Sequence, residues 1–452
     1  MNYELFHCGG TFLFCVEMLL IYSHTSSARL QYICSFIFKE QMGIEYELTI
    51  DSEAFKNYSG AKINYSDTKI SDDEFYIQDH QLLFESNIKE QAVNCFIVNG
   101  NKAFFKTTGS DFPFDILAAS FYLLSRYEEY LPHEKDLYGR YTHENSLAHK
   151  EGFLNLPLIN IWLADFAEKM KEKFPAGSLH STPNFQSSTF DFVPTYDIDI
   201  AFSYKHKGLL RNAGGFLRSP SLERIKVLAG SSTDPFDCYD WLDSLHKKYN
   251  LNPVYFFLVA EKNGEFDKNI LPHKDAMWQL IEKHASKYEI GIHPSWQSNT
   301  KTSILKKELE WLGEMSGIKY ITVSRQHYIK LTMPGTFRNL IESGIHDEYS
   351  MGYGSINGFR ASVASSFFWY DLEKEERTSL GIHPFCFMDA NCYYEQKQNA
   401  EQAYEELVHY YTVCRNVNGT LITIWHNHFL GTAEEFKGWG DVYEKFIAQV
   451  QQ

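Results

Sequence analysis

The sequence predicts an α/β protein, with a distorted (β/α)7 barrel at its C-terminal end and a smaller α+β domain before it. Beyond about residue 190, apolar runs of five to nine residues alternate with segments of helical period, the pattern of a parallel β/α sheet or barrel. Run after run ends in a reactive side chain, and the C-terminal strand ends are where such barrels build their sites. A third observation is the break at 176–189, "AGSLHSTPNFQSST", rich in Gly, Pro, Ser and Thr, which reads as a linker between two domains. A chain of 452 residues is long enough for two or three domains, each with its own core.

Taken in order, the run "TFLFCVEMLLIY" at 11–22 is a dozen residues long and contains Glu17. A spanning helix needs about 20 apolar residues, and a secretory leader needs a cationic flank that residues 1–10 lack. Residues 1–17 are therefore expected to be an upstream extension. From Met18 the chain reads as strand "MLLIYS", turn and helix "ARLQYICSFIFKEQMG". The domain 18–175 adds short β-like runs at 46–50, 81–85 and 103–107 and a helix over 114–131. In 190–452 the strand candidates are "TFDFVPTYDID", "NPVYFFLVA", "YEIGIHPSW", "IKYITVSRQH", "INGFRAS", "GIHPFCFMD" and "TLITIWHNH", with helices such as "KDAMWQLIEKHASKY" between several of them.

Composition narrows the function classes. The chain is 44% hydrophobic and 16% aromatic, as a folded protein is, and its net charge of −16 argues against nucleic acid as a partner. The eight cysteines are scattered with no C-x-x-C pair, which suits reduced thiols in a cytoplasmic protein. No membrane span is expected, and the default partner is a small molecule or glycan.

The chemistry centres on "PTYDIDIAF", 194–202. Side chains at i and i+2 of a strand share a face, so Asp197 and Asp199 converge. Two carboxylates so close raise each other's pKa unless a cation neutralises them. A divalent metal does so, and with imidazoles at neighbouring strand ends the natural ion is Zn²⁺ or another first-row metal, held by Asp plus two His.

These residues resemble the polysaccharide deacetylases, the NodB-homology group of carbohydrate esterases. The chain from about 188 onward is similar to them, and the whole chain looks like bacterial deacetylase-like proteins with an uncharacterised N-terminal domain. "TYDID" resembles the opening motif, which implies Asp197 as general base and Asp199 as metal ligand. "GIHPSWQSN" resembles the second motif, His-x-x-x-His, with His293 as its first ligand and Gln297 where the second would stand. "GFRAS" is similar to the motif whose arginine pairs with the catalytic aspartate, implying that role for Arg360. "FCFMDA" resembles the fourth motif and implies Asp389, and "TLITIWHNH" resembles the last, whose histidine protonates the leaving amine. His426 is favoured over His428 for that acid because it lies nearer the strand.

Glutamine is a poor zinc ligand, so another third ligand is needed. His327 in "SRQHY" closes the strand after that of His293, and neighbouring strand ends lie about 5 Å apart. Trp296, Tyr353 and Trp425 are expected to offer aromatic faces to a sugar. The implied activity is metal-dependent removal of acetyl groups from N-acetylated sugars. The alternatives are a catalytically weak relative that binds glycan or assembles a complex, and a two-carboxylate glycoside hydrolase, which leaves the histidines unexplained. The segment 205–226 is basic within an acidic chain, carrying Lys205, Lys207, Arg211, Arg218, Arg224 and Lys226. It suits an anionic glycan, a lipid-linked sugar phosphate or an ordinary solvated helix equally well.

Overall fold

A computed structural model describes residues 6–8, 11–13, 18–174 and 189–451. The expected extension 1–17 falls largely, and the expected linker 176–189 almost wholly, outside the described residues. The chain divides into two compact units. One comprises Met1–Tyr127, Leu158–Thr189 and Tyr370–Arg377; the other comprises Glu128–Pro157, Phe190–Trp369 and Thr378–Gln452. The stretch 128–157, placed by sequence in the first domain, thus groups with the second.

In the first unit, strands Leu19–Ser23, Tyr46–Thr49, Lys62–Ser66 and Phe75–Gln78 form a sheet in the order 46–49, 19–23, 62–66, 75–78, and every neighbouring pair is parallel. The expected α+β domain thus has a parallel four-stranded sheet, beside which 96–98 and 101–103 form an antiparallel hairpin. The reason for the parallel pairing is burial. "LLIYS" and "KINYS" are almost wholly buried, as strands covered on both faces are, and parallel neighbours need a helix to cross between them. The first crossover is the helix Ala28–Cys34 with its extension Ser35–Gln41. Ser27 starts it by accepting a hydrogen bond from the Leu30 N–H through its hydroxyl. The β-like run 81–85 is instead a 3₁₀ turn, Leu82–Phe84.

The larger sheet falls mostly in the second unit, and its nine strands run in the order Phe367–Asp371, Glu376–Ile382, Asp347–Glu348, Val323–Ser324, Glu289–Ile292, Val254–Phe257, Asp191–Ile198, Thr420–His426, Phe387–Met388. From 376–382 to 387–388 each pairing along this order is parallel. The expected alternation of parallel strands and helices is present, while among the described residues the strands of the expected distorted (β/α)7 barrel pair as an open array of nine. The run 376–388 approaches closure. The His383 N–H donates to the Glu348 carbonyl, whereas Phe387 pairs with Thr423, so one run passes from one side of the array to the other. Pro384, which has no N–H to donate, interrupts the ladder between them. "INGFRAS" is not a strand; its place is taken by the two-residue strand Asp347–Glu348.

Alternation sorts the two faces. Val193, Val254, Phe256, Ile422 and Ile424 join one apolar cluster inside the array. Tyr196 points to the other side, where its hydroxyl bonds to His246 and Tyr443 on the helices Tyr239–Tyr249 and Trp439–Val450. Close packing also explains one glycine: a Cβ on Gly291 would sit 2.7 Å from the Phe256 ring and 2.9 Å from the Val323 carbonyl oxygen.

Candidate metal centre

Register decides which side chains meet. Asp197 pairs with His426 and Tyr196 with Trp425, so Asp197 and His426 share the inner face while Trp425 faces the helices. Asp199 lies just past the strand and His293 just past strand 289–292, the next but one in the sheet, with 254–257 between them. His327 follows the two-residue strand at 323–324 and opens a short 3₁₀ turn in which Tyr328 takes a left-handed backbone, φ +59°.

Asp199, His293 and His327 each offer one ligand atom, and these atoms all lie within 4.8 Å of one another. His293 Nε2 is 3.1 Å from Asp199 Oδ1, and His327 Nε2 is 3.5 Å from Asp199 Oδ2. Ligands about 2.0–2.2 Å from a common tetrahedral ion stand roughly 3.3–3.5 Å apart, close to both imidazole–carboxylate distances. The tautomers fit as well. His293 Nδ1 donates to the Arg325 carbonyl at 2.6 Å and His327 Nδ1 donates to Asp267 Oδ1 at 3.0 Å, which leaves the Nε2 lone pairs directed inward. Imidazoles held in this way by an outer acceptor are characteristic of metal ligands. Asp199 Oδ1 is itself buried without a hydrogen-bond partner. Gln297, at the vacant motif position, is exposed.

Three groups surround this cluster. Asp197 is 2% exposed and its Oδ1 accepts from Arg325 Nη1 at 2.9 Å. The same Nη1 donates to Thr195 Oγ1 at 2.6 Å, Nε donates to the Tyr349 carbonyl at 3.1 Å, and the guanidinium lies 4.3 Å from the Phe256 ring centre. His426 Nε2 stands 3.5 Å from Asp199 Oδ2, while its Nδ1 and its backbone N–H both donate to the Asp389 carboxylate, at 2.6 and 2.7 Å. Asp197, Asp199, His293, His327 and His426 line a cavity of about 510 Å³, together with Tyr138, Phe266, Lys268 and Tyr328.

Electrostatics separates the two candidate acids. Burial alone would lower both rings. At His426 the Asp389, Asp199 and Asp197 charges outweigh it and bring the imidazole up to about 10. His428 has burial and the neighbouring His426 cation working together and falls to about 3. Of the two rings, His426 is the one held in its protonated form. Asp199, despite burial, is held well below the usual carboxylate range by His327 and His293. At His327 burial is likewise overcome, by Asp199 and Asp267, and the ring rises to about 9.

A metal ion must displace that proton, because only the neutral ring has the lone pair. Affinity for a divalent ion should therefore rise about tenfold per pH unit toward pH 9 and then level off. Calorimetry at pH 7 in two buffers of different ionisation heat should register release of at least one proton per ion bound; affinity independent of pH would contradict the assignment of His327.

Several expectations are corrected here. Arg360 does not meet Asp197. Its Nε and Nη2 grip Glu129 at 2.8 and 2.6 Å, "GFRAS" lies in irregular backbone, and Arg325 occupies the position beside Asp197. Trp425 is 1% exposed and packs on Tyr443, a consequence of facing the helices. Tyr353 is also 1% exposed, with its ring 5.3 Å from the Arg360 guanidinium. Trp296 is sandwiched: Phe266 stacks on it at 4.0 Å and Lys330 Nζ lies 3.7 Å from its centre, so Phe266 presents the aromatic surface to the cavity. The sequence reading missed Arg325 and Asp267. Arg325 stands two residues before His327 in the same run and shares its period-2 side, a usable signal; Asp267 lies in a loop and has none.

Residues 19–175 match a family of unknown function, DUF7033. No curated protein matches the chain. Among solved structures, one described as a polysaccharide deacetylase from Mycobacterium smegmatis is similar at 14% identity and a TM-score of 0.39, over 58% of this chain and 84% of that one. A peptidoglycan N-acetylglucosamine deacetylase in complex with 4-naphthalen-1-yl-N-oxidanyl-benzamide is similar at 10% identity and a TM-score of 0.31, over 59% of this chain and 88% of that one.

Proposed function

We propose that this protein is a metal-dependent hydrolase that removes the acetyl group from N-acetylated sugars of a polysaccharide or glycan precursor. The observation that carries the reading is the convergence of Asp199, His293 and His327, both imidazoles aimed inward by outer acceptors, between a clamped carboxylate and a protonated histidine.

Asp199, His293 and His327 would hold a divalent ion, of the zinc class by their nitrogen and oxygen donors, which would supply a Lewis acid for the acetamide carbonyl and for water. The chain's own residues do the rest. Asp197, aimed by the hydrogen bond from Arg325, takes a proton from the attacking water. As the C–N bond breaks, His426 delivers its Nε2 proton to the departing nitrogen, with Asp389 holding Nδ1 so that the ring cannot turn. The products are acetate and a free amine. Phe266, Tyr138 and Tyr328 offer apolar faces on which a sugar ring can stack.

The test is acetate release from chitooligosaccharides and peptidoglycan fragments, by metal-stripped protein with and without added Zn²⁺. Activity should depend on the ion, and His327→Ala should lower metal affinity by at least tenfold. Turnover unaffected by chelation, or full metal affinity in His327→Ala, would sink the reading.

A further inference from the structure

The helices Leu209–Arg218 and Leu222–Leu228 carry a surface that the proposed hydrolysis does not use. Four large apolar side chains within twelve residues face solvent: Leu217 is 82% exposed, Leu222 77%, Ile225 49% and Leu228 48%. On the second helix the three exposed positions recur every third residue and form one stripe, while Val227 on the opposite side is buried. Cations flank the stripe. Residues 203–230 contain Lys205, Lys207, Arg211, Arg218, Arg224 and Lys226 against the single acid Glu223, in a chain whose net charge is −16. Arg224 is spent on structure: it lies over the Tyr204 ring at 4.9 Å and fills the space above Gly215, where a Cβ would meet its Nη1 at 2.8 Å. Lys205 and Lys207 are half-buried, and the exposed Arg211, Arg218 and Lys226 form no ion pair among the described residues.

We propose that this helical pair docks on an anionic lipid bilayer. An apolar stripe bordered by unpaired lysine and arginine is the chemistry of a helix lying in the headgroup boundary, its leucines in the acyl edge and its cations on lipid phosphates. A soluble polyanion would need the cations but not the leucines. The chain's overall negative charge does not oppose docking, because at physiological salt a charge is screened beyond about 8 Å and the local cluster governs the contact. The surface adjoins the catalytic cavity: Arg211 Nη2 donates to the carbonyl of Lys268, which lines it, at 3.4 Å. Docking would hold that rim near the headgroups, and it stands whether or not the hydrolase reading does.

The experiment is co-sedimentation of the full chain with vesicles of phosphatidylcholine alone or mixed with phosphatidylglycerol, at low and physiological salt, with soluble polyphosphate as competitor. The chain should pellet with the anionic vesicles only, more weakly as salt rises. Arg218→Ala with Lys226→Ala should weaken partitioning about 25-fold, at roughly fivefold per charge. Leu217→Ser with Leu222→Ser, which leaves the charge intact, should weaken it at least tenfold. All these residues are exposed, so circular dichroism and the melting midpoint should match wild type. Failure to bind anionic vesicles at low salt, or equal binding to neutral ones, overturns the proposal. So does a serine variant that binds like wild type with polyphosphate competing fully, which marks a charge-only site, or a wild-type dimer that the serine variant makes monomeric without vesicle binding.

Discussion

Asp197→Asn should lower kcat/KM for acetate release by about 10²–10⁴, the usual contribution of a general base, while leaving metal affinity close to wild type. Asparagine keeps an oxygen at the position of Oδ1, so Arg325 Nη1 retains its acceptor at the 2.9 Å position and the side chain stays in place. What disappears is basicity. The three proposed ligand atoms belong to other residues, so metal binding measured by calorimetry isolates the proton-transfer role from the binding role. A variant within tenfold of wild type would show that another group activates the water, and loss of metal affinity in step with rate would make Asp197 a ligand.

The largest stability effect is expected at Arg325→Met. Arg325 is fully buried and Asp197 2% exposed, so removing the guanidinium strands a carboxylate in the interior. Breaking a buried pair from one side costs about 3–5 kcal/mol, chiefly from the charge left behind. In a unit of this size that corresponds to a melting midpoint lower by about 10 °C. The double variant Arg325→Met with Asp197→Asn removes both charges and should regain at least half of the loss. A single variant as stable as wild type, or a double variant no better than the single, would mean that the pair is not the unit of stability. Thr195 Oγ1 and the Tyr349 carbonyl also lose a donor in Arg325→Met, so recovery in the double variant is expected to be partial.

How much of the site can be read from sequence follows the range of each interaction. Asp197 and Asp199 are legible because period-2 alternation puts i and i+2 on one face, whatever lies further along the chain. His293 and His327 close consecutive strands, and parallel pairing brings such ends together, so their approach across 34 residues can be anticipated without knowing the fold in detail. Arg360 marks the limit. "GFRAS" has the composition of its motif, but the chain there makes no strand, and the partner that captures it, Glu129, lies 231 residues earlier. Trp425 and His426 make the same point within one strand: alternation shows that they face opposite ways, but which of them faces inward depends on helices that pack later.

The sequence by itself determined the alternation of strand and helix, the pairing of two acids on one strand face, and the gathering of imidazoles at strand ends, because each is written in contiguous residues with a fixed period. Tertiary structure alone decided that the described strands pair as an open array of nine, that the four-stranded sheet of the first unit is parallel, that Arg325 rather than Arg360 holds Asp197, and that Asp267 and Asp389 orient the histidines. Each of these joins groups distant along the chain, and register and crossover geometry, which no local period encodes, set which of them meet.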